Sequence, residues 1–350
     1  GQRLFSGNET ATVPYVVEET DGMIRSVSYQ GGRHSTSTPV APGVEQPGTL
    51  VGEKVFGSYD RQVPQMFGDT GAGVGSGTST VRGDIWLTAT HDTTTFAGAT
   101  GVAAGSRSAS EDTILGTSHT LTIDADNATV QLDSGQSVPY GAGGDDANLA
   151  VTNADGDTVY IDVTNLAGGL TGVTNVAITA TAKMSIDDMV STVDVTTFGE
   201  NEAITDSRTG QILYVDATSL QRVGLEPVHI AGTSNVFDVL IAARDVLLND
   251  RGLSRAQQGE LTTGTVLESF DEIITTVIAN STAVGGRLQA MSNLKGSVAD
   301  IKLSLDTRRS DLQDADIVQL ATDLARTQAF YEMVLAASAK VLKVSLLDYV

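Results

Sequence analysis

The stretch "DADIVQLATDLARTQAFYEMVLAASAKVLKVSLLDYV", residues 314–350, decides how this chain folds. Its apolar residues recur every three or four positions, which is the spacing of one face of an α-helix. One stripe contains Ile317, Leu320, Leu324, Tyr331, Val334 and Val341, and a second contains Leu335, Leu342 and Leu346. Two adjacent stripes are wider than one coiled-coil seam requires, so the stretch predicts a helix with more than one neighbour.

We expect other copies of the chain to cover this helix. Chain ends in soluble proteins commonly fray into water, whereas this sequence finishes on an apolar segment that must find a partner or stay loosely ordered. The candidate contacts between subunits are Leu335, Leu342, Leu346, Leu347 and Tyr349.

The helical pattern extends upstream of residue 314. It includes Leu267, Phe270, Ile274, Val277, Val284, Leu288, Met291, Leu294, Val298, Ile301 and Leu305, with one shortened step before Leu294. We expect a break at "DTRRSDLQDADI", residues 306–317, because Ser310 and Gln313 have the spacing of a capping box. The pattern predicts two successive helices, with Leu288, Met291 and Ile301 in the core of an intramolecular helical bundle.

Proline placement marks the start of the helical region. All seven prolines lie at or before Pro227, and helix interiors exclude proline. In "NVFDVLIAARDVLLND", residues 235–250, Ser234 or Asn235 is the expected N-cap and Gly252 the expected end. Ser254 and Gln257 form a further capping box.

The residues before this boundary have the alternation of β-strands. "HTLTIDADNATVQLD" at 119–133 predicts a hairpin, and "VTNVAITATAKM" at 173–184 predicts a strand. A weak repeat relates "GDTVYIDVTNL" at 156–166 to "GQILYVDATSL" at 210–220. The Gly-rich segments 68–79 and 141–144 are expected to be loops, and Ser185 with Asp188 suggests a short helix.

These patterns predict an α+β fold that is rich in strands before a boundary near residue 230 and helical after it.

Composition excludes several classes of function. The 350 residues carry a net charge of −22, which argues against nucleic acid or an anionic membrane as a partner. The absence of cysteine removes disulfides, thiolate metal sites and cysteine nucleophiles. The sequence has no apolar run of membrane-spanning length, and "GQRLFSGNET" does not have the pattern of a secretory signal peptide.

No set of residues in the sequence predicts catalysis, cofactor binding or a metal site. His34, His91, His119 and His229 are far apart and have no partner at a useful spacing. "NADGDT", residues 153–158, places oxygen ligands at alternate positions, as a Ca²⁺ loop does. Its glycine precedes the third ligand position and Thr164 stands where a bidentate acid is needed, so we interpret it as a turn. The sequence therefore predicts a protein that is not an enzyme.

The C-terminal region resembles the hook-associated protein 3 family of hook–filament junction proteins, in the flagellin superfamily. "DADI" opens the last helix as in that family, and residues 325–350 resemble its alanine-rich terminal helix and its "LSL-hydrophobic-DY" ending, here "VSLLDY". Residues 235–250 resemble the helix that re-enters the rod domain. "GQRLFSG", "YQGG" and "GEKVFG" resemble the β elements that follow the family's N-terminal helices.

The resemblance implies a structural subunit of the bacterial flagellum that joins hook to filament. It also implies an α+β fold with β-rich outer domains inserted in a long-helix, coiled-coil-like rod domain. The division that we expect from it is β elements next to the rod domain at 1–79, a variable β-rich outer domain at 80–225, and the C-terminal helical rod with its terminal assembly helix at 226–350.

The resemblance further implies export through the flagellar secretion channel and an extracellular position. The implied partners are other copies of the chain, hook-associated protein 1 and flagellin, with an export chaperone before assembly. Family members begin with paired helices, so we expect this sequence to belong to a longer chain.

Two alternatives remain open at this point. The first is filament flagellin, which shares the superfamily's terminal helices. The second is a secreted β-rich adhesin or Ca²⁺-binding module on a coiled-coil stalk.

Overall fold

The computed structural model describes residues 3–20, 22–41, 44–141, 143–166 and 170–347. The chain contains both β-sheets and helices, so the predicted α+β class is confirmed. It divides into two compact units, Gly1–Ile278 and Ala279–Val350.

The strands all lie in the first unit. In chain order they are β1 (Tyr15–Thr20), β2 (Met23–Tyr29), β3 (Ser37–Ala41), β4 (Val44–Pro47), β5 (Gln65–Met66), β6 (Gly73–Val74), β7 (Gly83–Phe96), β8 (Ala103–Ala104), β9 (Thr120–Asp124), β10 (Thr129–Leu132), β11 (Val138–Pro139), β12 (Leu149–Thr152), β13 (Thr158–Asp162), β14 (Val173–Ser185), β15 (Val193–Val195), β16 (Glu202–Thr205), β17 (Ile212–Asp216) and β18 (Gly224–Ile230).

The helices lie mainly in the C-terminal part. They are α1 (Gly52–Phe56), α2 (Ser108–Glu111), α3 (Val236–Leu248), α4 (Arg255–Leu261) and α5 (Leu267–Leu347), with a π-helical turn at Thr262–Val266 between α4 and α5.

One large antiparallel sheet organises the first unit. Its strand order is β11-β10-β9-β14-β7-β18-β5, with β15 paired to β14. The predicted hairpin is confirmed as β9 and β10, and the predicted strand as β14. The long strands β7 and β14 pair along most of their length, with a bulge between Ala180 and Ala182.

Two small sheets reproduce the repeat that the sequence shows. One has the order β12-β13-β8 and the other β16-β17-β6. Their registers correspond: Leu149 pairs with Ile161 and Ile161 with Ala104 in the first sheet, and Glu202 pairs with Val215 and Val215 with Val74 in the second. The sequence repeat is therefore also a repeat of strand pairing.

The local hydrogen bonds of the two sheets also correspond. Asp162 accepts from the backbone and hydroxyl of Thr164, as Asp216 accepts from those of Thr218. Each middle strand contributes to a separate hydrophobic core. Val159, Ile161 and Val163 belong to one core, and Leu213, Val215 and Ala217 to the other.

The Gly-rich segment 68–79 is packed among the strands of the first unit, which we call the β unit. This corrects the prediction of a loop or linker. It contains β6, and Thr70 within it is fully buried. A Cβ at Gly71 would lie 2.1 Å from the carbonyl oxygen of Ser219, and one at Gly77 would lie 2.4 Å from the ring of Tyr214. These glycines permit close approach of two segments, so their abundance does not indicate flexibility.

The short helix expected at Ser185 is also wrong. After β14 ends at Ser185, residues 186–192 form bends and turns. The Ser185 hydroxyl accepts from the backbone N–H of Met189 and donates to Asp187. The polar residues that resemble a capping box instead hold a turn in which Asp188 and Met189 have positive φ.

The N-caps of α3 and α4 agree with the sequence, but α3 ends before the predicted position at Gly252. Asn235 accepts from the N–H groups of Phe237 and Asp238, and Ser254 and Gln257 form the predicted capping box. Helix α3 ends at Leu248, before Asn249 in the left-handed conformation, and Gly252 follows with a positive φ.

The predicted break at 306–317 is absent, because α5 runs without interruption from Leu267 to Leu347. No proline follows Pro227 and no glycine follows Gly296, so nothing in the sequence forces the helix to stop there. Ser310 and Gln313 are helix-interior residues.

The predicted boundary between residues 225 and 226 falls inside β18. That strand pairs with both β7 and β5, so it joins segments from all three predicted parts. The three-part division remains a prediction, while the compact units divide between Ile278 and Ala279.

Candidate assembly interface

The described side chains of the helical region are no longer buried beyond the first two turns of α5. Leu261, Ser269 and Ile273 are buried, whereas Ile274 is 53% exposed. Beyond Ile273, no residue of α5 whose side chain the structure describes is buried. The second unit therefore presents its apolar side chains to solvent.

The residues predicted to contact other subunits lie on or after this exposed helix. Leu335 is 54% exposed and Leu342 is 63% exposed. Leu346 and Leu347 lie within α5, but their side chains are outside the described part of the chain, and Tyr349 lies beyond the described residues. Their role in contacts between subunits stays a prediction.

The residues predicted to form a bundle core are exposed as well. Leu288 is 63% exposed, Met291 41% and Ile301 60%. Since α5 is continuous, these residues share one helix with Leu335 and Leu342. A core around them therefore requires helices other than those within 279–347.

Sequence reasoning missed further apolar positions outside the two stripes. Leu312, Val318, Phe330 and Met333 are each more than 60% exposed. Apolar residues thus occur around the circumference of the helix, which is typical of a helix buried on several sides. Their residue type was the available signal, but a search for a single periodic face passes over them.

Charge distinguishes this helix from the rest of the chain. Residues 279–350 contain eight acidic and eight basic residues, so the net charge of −22 resides in residues 1–278. A helix with no net charge can pack against copies of itself without the repulsion that two acidic surfaces would meet. Each large aliphatic side chain that becomes buried contributes roughly 1.5–3 kcal/mol.

The titratable residues of the β unit serve its packing. His119 lies between Asp133 and the carbonyl oxygen of Gln221, at 2.7 and 2.9 Å. In the turn at 153–157, the Asn153 side chain accepts from the N–H groups of Asp155 and Asp157, as the interpretation of this segment as a turn requires. Asp157 also lies 3.1 Å from Arg222.

Among the described residues there is no group of three or more His, Asp or Glu side chains arranged to hold a metal ion. Within the same residues, no helix has the length and apolar character needed to cross a membrane.

Among the comparisons with known proteins, matches occur with solved structures of flagellar junction proteins, at low identity and low TM-score. No family model matches the sequence, and no curated protein matches it. Among solved structures, FlgL from Xanthomonas campestris is 17% identical to this chain. The match covers 89% of this chain and 74% of the FlgL chain, with a TM-score of 0.34. The flagellar junction protein FlgL from Legionella pneumophila is 15% identical over 85% of this chain and 70% of that one, with a TM-score of 0.33.

Flagellar hook associated protein-3 from Legionella pneumophila is 13% identical and covers 91% of this chain and 74% of that one, with a TM-score of 0.35. These solved structures belong to the family that the terminal motifs of the sequence resemble.

Proposed function

We propose that this protein is a structural subunit of the bacterial flagellum, placed between hook and filament and assembled through its terminal helix. The protein is not an enzyme in this proposal. Its partners are other copies of itself, with hook-associated protein 1 on one side and flagellin on the other. It reaches this extracellular position through the flagellar secretion channel, with a chaperone before export.

The observation that carries the proposal is the exposed apolar surface of α5. Leu335 and Leu342 belong to residues 279–350, which carry no net charge, and the helix that contains them has no buried side chain in its described part after Ile273. Such a surface is stable in water only when other helices cover it. Assembly with further chains supplies that cover.

The hook–filament junction is favoured over the filament by the end of the sequence. Residues 344–349, "VSLLDY", resemble the ending of junction proteins and differ from the short Leu-Leu-Arg-like tail on which filament flagellins usually close. Immunogold labelling of intact flagella separates the two: a junction protein gives a narrow zone next to the hook, and a flagellin labels the entire filament.

The test of assembly is the substitution Leu342→Asp, introduced into the complete native protein in a motile strain. We expect the variant to be absent from purified flagella and motility to be lost, because an aspartate at this position places a charge inside the helix packing. Thr322→Asp is the matched control. It adds the same charge on the opposite side of the helix, counted at about 3.6 residues per turn, and Thr322 is exposed.

Normal motility and normal incorporation of Leu342→Asp would contradict the proposal. Circular dichroism of the purified variant checks that the β unit retains its fold.

A further inference from the structure

A buried histidine faces a partly exposed aspartate across two neighbouring strands of the large sheet. Asp84 of β7 and His229 of β18 are register partners. His229 Nδ1 lies 2.6 Å from Asp84 Oδ1, and the His229 side chain is only 1% exposed. The mechanism of assembly proposed above does not use this pair.

The other nitrogen of His229 has no hydrogen-bond partner among the described residues. His229 lines a cavity of about 20 Å³ beneath the end of α4 and the π-helical turn. The remaining walls include Trp86, Leu261 and Thr265. This volume accommodates one water molecule, which would need polar partners to be stable there.

More unpartnered polar atoms occur where the start of α5 meets the end of β18. The backbone N–H of Gly232 donates to Glu272 Oε2 at 2.9 Å, which joins the two segments. Glu272 Oε1, Ser269 Oγ and Ser234 Oγ are buried without a partner in the described part of the chain. A π-helical turn next to unpaired polar groups is a feature found frequently at functional sites.

Acidic residues on three neighbouring elements act on His229 or on its partner Asp84. Asp84 lies on β7, Glu268 and Glu272 lie on α5, and Asp238 on α3 faces Asp84. Burial works against a charge on His229, but the hydrogen bond that His229 donates to Asp84 and the negative charges of Asp84, Glu268 and Glu272 outweigh it and raise the pKa of His229. Burial and the charge of Asp84 raise the pKa of Asp238 to about 6.

We propose that His229 is a proton-operated latch that holds the π-helical turn and the first turns of α5 against the large sheet. The protonated imidazole donates to Asp84, and its charge favours the carboxylate of Glu272, which is half-buried and has a buried Oε1 without a partner among the described residues. Glu268 also attracts this charge but is exposed. The neutral imidazole no longer stabilises the Glu272 carboxylate, so the start of α5 separates from the sheet more readily.

The direction of the pH effect follows from the two shifts. A histidine with a raised pKa stabilises the folded state below its ordinary pKa of ~6.5, and this contribution is lost as pH rises through the folded-state value. A carboxyl with a raised pKa also favours the folded state when it is protonated, so Asp238 loses its contribution as pH rises from about 4 to about 6. The latch is therefore closed in mild acid and opens toward alkaline pH.

The test is amide hydrogen exchange of the whole chain between pH 6 and pH 9, with intrinsic exchange corrected. We expect protection of residues 261–273 to fall with pH, by about tenfold for each unit by which the pKa of His229 differs between the closed and open states. In His229→Gln this pH dependence should disappear. His34→Gln is the control, because His34 is exposed and should leave the dependence unchanged.

If His229→Gln does not fold, Asp84→Asn provides the second variant. It replaces the charged acceptor of His229 with a neutral amide oxygen, so the pH at which protection is lost should shift downward, and NMR titration of the His229 ring should show the same shift. Protection that is independent of pH in the wild type, a pH dependence that survives in His229→Gln, or an unshifted pH dependence in Asp84→Asn would overturn the proposal.

Discussion

The β unit buries large apolar residues of the kind that the terminal helix, the part of α5 within the second unit, leaves exposed. In the β unit, Ile161 and Leu213 are fully buried in two separate cores. In the terminal helix, Leu335 and Leu342 are more than half exposed although they are the same kind of residue. The first region buries these hydrophobic residues within one chain, whereas the second leaves them exposed, and in the proposed function other chains cover them.

Charge follows the same division. The β unit and its adjoining helices, residues 1–278, hold the entire net charge of −22, and residues 279–350 are balanced. A strongly acidic surface keeps copies apart in solution. Residues 279–350 carry no net charge, so copies of the chain can approach one another there. The acidic region therefore favours solubility, and the uncharged region permits assembly.

The largest effect should come from truncating the same residue type in each region. Leu213→Ala should lower the free energy of unfolding of the β unit by about 2–5 kcal/mol, because it opens a cavity in a closed core. Leu335→Ala should change it by less than about 0.5 kcal/mol in the unassembled chain. Urea unfolding followed by tryptophan fluorescence of Trp86 measures both.

Similar costs for the two substitutions would break the comparison, since Leu335 would then have a partner within its own chain. The loss caused by Leu335→Ala should instead appear in co-sedimentation of assembled material.

The next effect concerns a buried carboxylate of the β unit. Asp187 accepts from the hydroxyl and backbone N–H groups of Ser191 and Ser207. Burial opposes its charge, but the donors at Ser207 and Ser191 outweigh it and hold the pKa of Asp187 well below its ordinary value of 3.8. A depressed pKa gives stability that is present above about pH 4 and is lost as pH falls further.

Asp187→Asn should therefore cost about 1.5–3 kcal/mol at neutral pH and make the unfolding free energy less dependent on pH below 4. Asp323→Asn on the exposed helix is the control and should change neither quantity. Unfolding measured at pH 3 and pH 7 decides this, and an unchanged acid dependence in Asp187→Asn would assign the sensitivity to another group.

The sequence predicted the elements that depend on local chemistry. Asn235, Ser254 and Gln257 cap helices as expected, since capping involves residues only two or three positions apart. The hairpin at 119–133 and the similarity of 156–166 to 210–220 were also visible. The third strands of the two small sheets, β8 and β6, were not visible in the sequence, because two-residue strands have no periodicity to detect.

Failures occurred where local signals compete with distant contacts. Ser310 and Gln313 resemble a capping box, but the helix continues through them because it contains no proline and no glycine after Gly296. Gly71 and Gly77 resemble a flexible loop because their reason, contact with Ser219 and Tyr214, lies far along the chain. The assembly residues were predicted from periodicity, and their contacts depend on chains that one sequence does not contain.

The smallest effect tests whether the glycines of α5 only weaken the exposed helix. A Cβ at Gly286 would meet nothing within 4 Å. Gly286→Ala should therefore stabilise the helix by up to about 1 kcal/mol, because alanine loses less backbone freedom on folding. Helicity measured by circular dichroism should rise and the melting of α5 should shift upward.

Gly71→Ala makes the same chemical change in the β unit and should have the opposite sign. Gly71 has a φ of +86°, and an added Cβ would lie 2.1 Å from the carbonyl oxygen of Ser219, so the substitution strains a packed segment. If Gly286→Ala raises helicity but impairs incorporation into flagella, Gly286 is a point of close approach between helices in the assembly. If incorporation is unaffected, the loss of helix stability that Gly286 causes in the single chain is not offset by a close contact between helices at that position.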